Sequence, residues 1–522
     1  MRFLRLRFLA AFLVLTAVAG SGWRLLSEQE DDRKVITVGT TEPVTSLDPA
    51  GAYDSGSWAL FSNVFQTLLT FEPGDPTPVP DAAEQCGFED EDLRLFRCRL
   101  RHGIRFPSGR TMTAADVTYS FDRVRTINSD VGPASLFNTL DSVSADNSDT
   151  VTFRLSTPDA TFALKLATGA ASIVDREKYP ATSLRAGSAV DGTGPYTLSD
   201  YTKDHRADLN PNPHYKGYLH ETGNPIRLSY YPDSHALARA WKTRQVDVTS
   251  RTLPVDVLAE LNPSDPALHM TTSETAQTHN LYLNTRKGSP LHDARVRRAM
   301  AWLVDREALA YTVYRSTVDP LYSVIPSGMT GHTTPFFDDY SGGPSIENAR
   351  KLLAEAGVSL PVRIGFGYDR GRSVGVSAKE AAVLKKQLQA GGLFTVDVKG
   401  YQWADFQERW AAGTMDAWAV SWVADYPDPE TFGAALVETG SSMNTGYSSG
   451  QVDRLVGDTR RLADRSRTVD AFGSLQARVS HDVPLIPLWQ RKEYVVSTSY
   501  VGGGQYLQDG TGVFRLWRLR WT

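Results

Sequence analysis

Few places in this 522-residue chain carry residue types at spacings that could do chemistry, and each points to a different kind. Asp425 and Tyr426 follow the alternating run Ala417 to Val423, which reads as a half-buried strand. Pro427 and Pro429 end that strand, since proline lacks the donor a sheet requires. A carboxylate and aromatic rings at the carboxyl end of a strand sit where open α/β folds place ligands. The plain reading of the same residues is a core strand running into an ordinary turn. Separately, Gly371-Arg372-Ser373-Val374-Gly375 fits the nucleophile elbow of a secreted serine hydrolase, and His481 and several aspartates follow in suitable chain order. An elbow starts its helix at the motif, however, whereas Ser377 and Glu380 predict a capping box and a helix start at Ser377. No glycine-rich oxyanion segment precedes it.

Cys86 and Cys98 are the only cysteines. The segments around them predict a hairpin centred near Asp92 that sets the two sulfurs opposite each other, and in an exported chain this predicts a disulfide that staples the hairpin. Gly192-Thr193-Gly194-Pro195-Tyr196 predicts a tight backbone turn. A phosphate loop would need a lysine that the motif lacks. No dense histidine cluster offers a nickel or other metal site, and no motif asks for a cofactor.

A chain of 57.5 kDa is too long for one hydrophobic core, so two or three lobes are expected. Apolar and charged contents of 41% and 22% are globular values, and a formal net charge of −5 argues against a nucleic-acid surface. Arg2, Arg5 and Arg7 precede an apolar run from Phe8 to Val18, and Ala17-Val18-Ala19 supplies a cleavage point, so residues 1–19 read as a signal peptide. An uncleaved anchor reaching Leu26 is the alternative. No cysteine follows the signal, so the exported protein, periplasmic or extracellular, is not expected to be a lipoprotein.

The elements that must position these residues follow from periodicity. Val35 to Gly39 reads as a first strand, Ser57 to Leu69 as a helix, and the prolines from Pro73 to Pro80 as a boundary. Thr113 and Asp116 hold the positions of a capping box. Strand 362–366, helix 377–390, strand 394–398, helix 403–411 and strand 416–423 imply a parallel sheet with Asp425 at its carboxyl edge. Val513 to Leu519 alternates as a last strand.

Taken in order, Ser46-Leu47-Asp48-Pro49, the segment Leu100 to Phe121, Gly192 to Tyr196, Val296-Arg297-Arg298-Ala299-Met300 with Asp305-Arg306-Glu307, Trp422 to Pro429, and Asn444-Thr445-Gly446-Tyr447 resemble the family 5 extracellular solute-binding proteins. These are the oligopeptide, dipeptide and nickel binders of ATP-driven importers. The resemblance implies an α/β, periplasmic-binding-protein-like fold: two lobes with a ligand cleft, plus an inserted α+β subdomain. The first lobe would comprise 35–72, 190–289 and 484–522, the insert 73–189, and the second lobe 290–483. It implies a non-enzymatic cycle of hinge closure around a peptide or small molecule, with membrane ABC permease subunits as partners and the protein a monomer. It further implies that Asp425 holds a ligand α-amino group, that strand edges at Val44, Ser421 and Val423 bond a peptide main chain, and that Trp422, Tyr426 and Asn444 lie nearby. Trp403, Trp418 and Trp489 are weaker candidates, and Arg370 and Arg372 could meet a ligand carboxylate. A ligand-sensing receptor that does not transport is a further alternative. Members from single-membrane bacteria usually carry a lipobox cysteine, which this chain lacks.

Overall fold

The computed structural model describes residues 35–220, 223–250, 253–340, 343–370, 376–508, 510 and 512–522. The expected signal at 1–19 and the Gly371 to Gly375 motif, with Arg372 and Ser373, lie outside the described residues.

Strand β1 (Ile36–Thr40) forms where the β-branched run predicts it, with Ile36 and Val38 fully buried. Helix α1 (Ser55–Val64) is capped by Asp54, whose carboxylate accepts from the Ser57 amide at 2.9 Å. It stops well short of the expected Leu69, because the Gly192-Thr193-Gly194 segment packs against its last turn. The Gly194 amide donates to the Val64 carbonyl at 3.1 Å, and a Cβ on Gly192 would lie 2.0 Å from that same oxygen. The turn is therefore a backbone-on-backbone clamp that only glycine admits.

The next stretch carries its own antiparallel sheet, in the order Ala83–Phe88, Leu95–Leu100, Thr150–Leu155, Leu140–Ala145. Cys86 sits opposite Cys98 and the two form a disulfide. The helix Ala114–Ile127 covers this sheet and opens with the expected Thr113 and Asp116 capping box. Asp48 of the Ser46-Leu47-Asp48-Pro49 motif binds Arg123 of that helix through two bonds of 2.6 and 2.5 Å, both side chains buried. That motif is scaffold.

One large sheet joins the two lobes. Its strands include β2 (Leu268–Leu283), β3 (Val362–Asp369), β4 (Phe394–Tyr401), β5 (Ala417–Val423) and β6 (Leu485–Thr498), and the helices of this part include α2 (Arg306–Thr312), α3 (Ser377–Leu388) and, after β5, α4 (Glu430–Val437). The order runs β4-β3-β5-β2-β6, then Val248–Ser250, β1 and three further first-lobe strands. β3 pairs in parallel with both β4 and β5, as the alternation of strands and helices predicts. β2 and β6 are long and antiparallel, spanning both lobes, and their register slips between residues 274 and 278. Such a slip bends the pair locally.

Two expectations need correction. Ser377 and Glu380 form no capping box: Val376 is the N-cap residue, the Ser377 hydroxyl is buried without a partner, and Glu380 turns into the core. Val513 to Leu519 is not a strand either. Val513, Phe514, Leu516 and Leu519 are all buried, a set without a two-residue period, and Leu516–Arg518 is a 3₁₀ turn.

Candidate functional site

β5 has two unlike halves. From Ala417 to Ala419 it is flanked by β3 on one side and β2 on the other, and these residues are buried. Beyond Ala419 the pairing with β3 ends, while pairing with β2 continues to Val423. The Ala424 amide donates to the Ala276 carbonyl at 2.9 Å. Because main-chain groups of an antiparallel pair alternate sides, Trp422 and Val420 also face β2, and the N–H and C=O of Ser421 and Val423 face the side β3 has left. Val423 is exposed there.

At the end of this open segment stands Asp425. Its carboxylate meets hydroxyls: Thr431, the second residue of α4, at 3.3 Å, and Tyr53, which reaches it from the first lobe. Thr431 also receives the Asp425 amide at 3.3 Å and, through its carbonyl, the Trp422 indole N–H at 3.1 Å, so one residue braces both side chains. Desolvation pushes the Asp425 carboxyl up to about 7 despite the two hydroxyl bonds, and Glu430 adds to the rise. Lys165 of the insert acts on it in the opposite sense, but Lys165 is already bonded to Asp159 at 2.7 Å. The Tyr53 hydroxyl is raised in turn, first by burial and then by the Asp425 charge.

The other expected site residues are placed as follows. Tyr426 is buried against first-lobe residues, its ring beneath Lys165 Nζ at 5.9 Å and its hydroxyl donating to Glu430 at 2.5 Å. Val44 lies in that same core. The Ala160 amide also bonds the Arg460 carbonyl at 2.9 Å, so insert and second lobe touch. Asn444 stands apart in a left-handed turn (φ 49°), its carbonyl oxygen accepting from Arg286 at 2.5 Å and its amide donating to the carbonyls of Trp410 and Ala411. Trp418 is fully buried, Trp403 packs on Phe406 and Trp410, and Arg370 is an exposed loop residue. His481 bonds Asp482 and Arg298 at the end of the helix Val469–Asp482.

Sequence reasoning missed Tyr53, Thr431 and a buried polar group beneath β5. There the Glu380 carboxylate accepts from His279 Nε2 at 2.9 Å, the Tyr314 hydroxyl at 2.6 Å and the Trp489 indole at 2.7 Å, while His279 Nδ1 meets Ser421 Oγ at 2.8 Å. His279 stacks on Trp489 with ring centres 4.5 Å apart. Burial alone would raise Glu380, but the His279 charge and the three donors hold it below the ordinary carboxylate value. No local signal marks the grouping: the sequence offers Ser421 and Trp489 for other roles and Glu380 as a cap, and each member comes from a different part of the chain.

Among the described residues no group of three or more His, Cys, Asp or Glu could hold a metal ion. Residues 77–444 match the model of the bacterial extracellular solute-binding proteins, family 5 Middle. The chain belongs to this family. The family membership leaves no support for the hydrolase alternative. Relatives include the periplasmic oligopeptide-binding protein OppA of Salmonella typhimurium, 23% identical over 500 residues and covering 90% of each chain, and heme-binding protein A of Haemophilus influenzae, 25% identical over 517 residues and 92% of each. The crystal structure of a dipeptide-binding protein from Pseudoalteromonas sp. SM9913 in complex with Met-Leu superposes with a TM-score of 0.79 at 19% identity, covering 93% of this chain and all of that one. The bilobed solute-binding fold is thus common to this family 5 chain and that structure, and the protein is an extracytoplasmic binder.

Proposed function

We propose that this family 5 protein captures a peptide, or another small molecule with a free amino group, between its lobes and delivers it to an ABC importer. Asp425 is the anchor for the ammonium, the open edge at Ser421 and Val423 bonds the peptide main chain, and Trp422 flanks both. The observation that carries this reading is Asp425 itself: a half-buried carboxylate at the lobe boundary, held by hydroxyls and pushed up to about 7. An ammonium ligand supplies the charge that burial withholds, and a charge-assisted bond in a closed cleft contributes about 1.5–3 kcal/mol. Lobe limits at 72/73, 189/190, 289/290 and 483/484 belong to the same reading, with β2 and β6 as hinge strands. Native mass spectrometry of protein purified from its native culture tests it. A co-purified mass that leaves on mild unfolding and fragments as a peptide supports it, and a bound molecule without any amine overturns it.

A further inference from the structure

The open half of β5 has lost one neighbouring strand, and a strand paired on one side only frays easily. What supports it is a side chain. Ser421 is tied across the pair to His279 at 2.8 Å, and His279 to Glu380 at 2.9 Å. The remaining Glu380 oxygen receives Tyr314, just past α2, and Trp489 of β6. His279 and Trp489 are opposite each other on β2 and β6, between two register shifts, one between residues 274 and 278 and one between 279 and 280. A buried charged pair adds little stability over apolar residues of the same volume, so stability alone does not account for it. The sequence offers Glu380 as a helix cap, yet the fold spends it here.

We propose that His279 and Glu380 are positioning residues for ligand capture: through Ser421 they hold the open segment Val420 to Val423 in place and connect it to the hinge strands. This rests on the reading of that segment as the ligand edge. The chain of donors has a defined sense. Glu380 is a carboxylate and only accepts, so His279 Nε2 carries a proton and donates to it, while Nδ1 bonds the Ser421 hydroxyl. The groups facing His279 are Glu380 from α3, Ser421 from β5 and Trp489 from β6, with Tyr314 on the far side of the Glu380 carboxylate.

Amide hydrogen exchange on the ligand-free protein tests this without a known ligand. Glu380→Gln and His279→Phe should each lower the protection of the Trp422 and Ala424 amides about tenfold while leaving β4, at the far edge of the same lobe, unchanged. Loss of protection throughout the lobe, or none at Trp422 and Ala424, overturns the proposal. Ser421→Ala, which removes only the hydroxyl that ties β5 to His279, should lower the protection of the same two amides; unchanged protection there also overturns the proposal, even if another variant fails to fold. Failure of the amine-anchor reading looks different: Asp425→Asn would leave peptide binding intact while the local exchange pattern stood.

Discussion

Asp425 and Glu380 are two withdrawn carboxylates in one lobe, and their environments drive them in opposite directions. Burial pushes both up. Glu380 then receives three donors, one from the imidazole of His279, and falls below the ordinary value. Asp425 receives two hydroxyls from opposite lobes and stays near 7. A carboxylate satisfied within its own core is scaffold. One left short of a cation at a boundary that opens is a place for a ligand cation. The comparison separates two acidic residues that look alike in sequence.

The largest effect expected is on the scaffold side. Glu380→Ala leaves His279, Tyr314 and Trp489 without their shared acceptor and should cost about 3–5 kcal/mol of folding stability, read by denaturant unfolding followed at tryptophan. A loss below about 1 kcal/mol would break the comparison. Asp425→Asn should weaken binding of an amine-bearing peptide by about 10- to 100-fold in calorimetric titration and leave the N-acetylated peptide unaffected.

A pH series sharpens the contrast further. The folded value of Asp425, about 7, lies above its ordinary 3.8, so folding favours the protonated form. Its contribution to ligand-free stability is full at acid pH, below the unfolded value, and is lost as pH rises through about 7. Amine affinity runs the other way, rising through the same window as the carboxylate forms. Glu380, held low, contributes stability that is lost only as pH falls through the acid range. Melting temperatures from about pH 3 to 8, spanning the interval between those two values, should therefore show a slope that Asp425→Asn removes, with the variant more stable than the parent at about pH 8 by on the order of 1 kcal/mol, discounted for partial solvent access. Tyr53→Phe should be the mildest change. It removes one hydroxyl from Asp425, so the midpoint of the affinity profile should move upward by a few tenths of a pH unit, on the order of one neutral hydrogen bond shared with solvent.

Much of the scaffold was readable in advance because its causes are local. The Cys86 and Cys98 hairpin, the Thr113 and Asp116 cap and the parallel β3, β4 and β5 all follow from spacing over a few residues. The ordered motifs pointed to Asp425, Ser421, Trp422 and Val423, and the structure brings these together at one strand end. Asn444 came from the same motifs but lies in a turn with its side chain committed to Arg286 and to main chain. Tyr53 carries no signal because it meets Asp425 from the far end of the chain, and Thr431, six residues from Asp425, is an ordinary residue of a helix start whose bond depends on how the intervening turn folds. Glu380 carried a misleading one: three residues after a serine it satisfies the pattern of a cap, and long-range burial overrode it.

By itself the sequence determined the class of protein, the order of its elements and the carboxylate at the end of β5, since periodicity, proline stops and motif order are written along the chain. Only the tertiary structure decided which acid is satisfied and which is not. That depends on whether His279, Tyr314 and Trp489, or only two hydroxyls, arrive within bonding distance, and apart from Thr431 these partners lie at least 66 positions from the acid they meet, a separation that leaves no mark in local spacing.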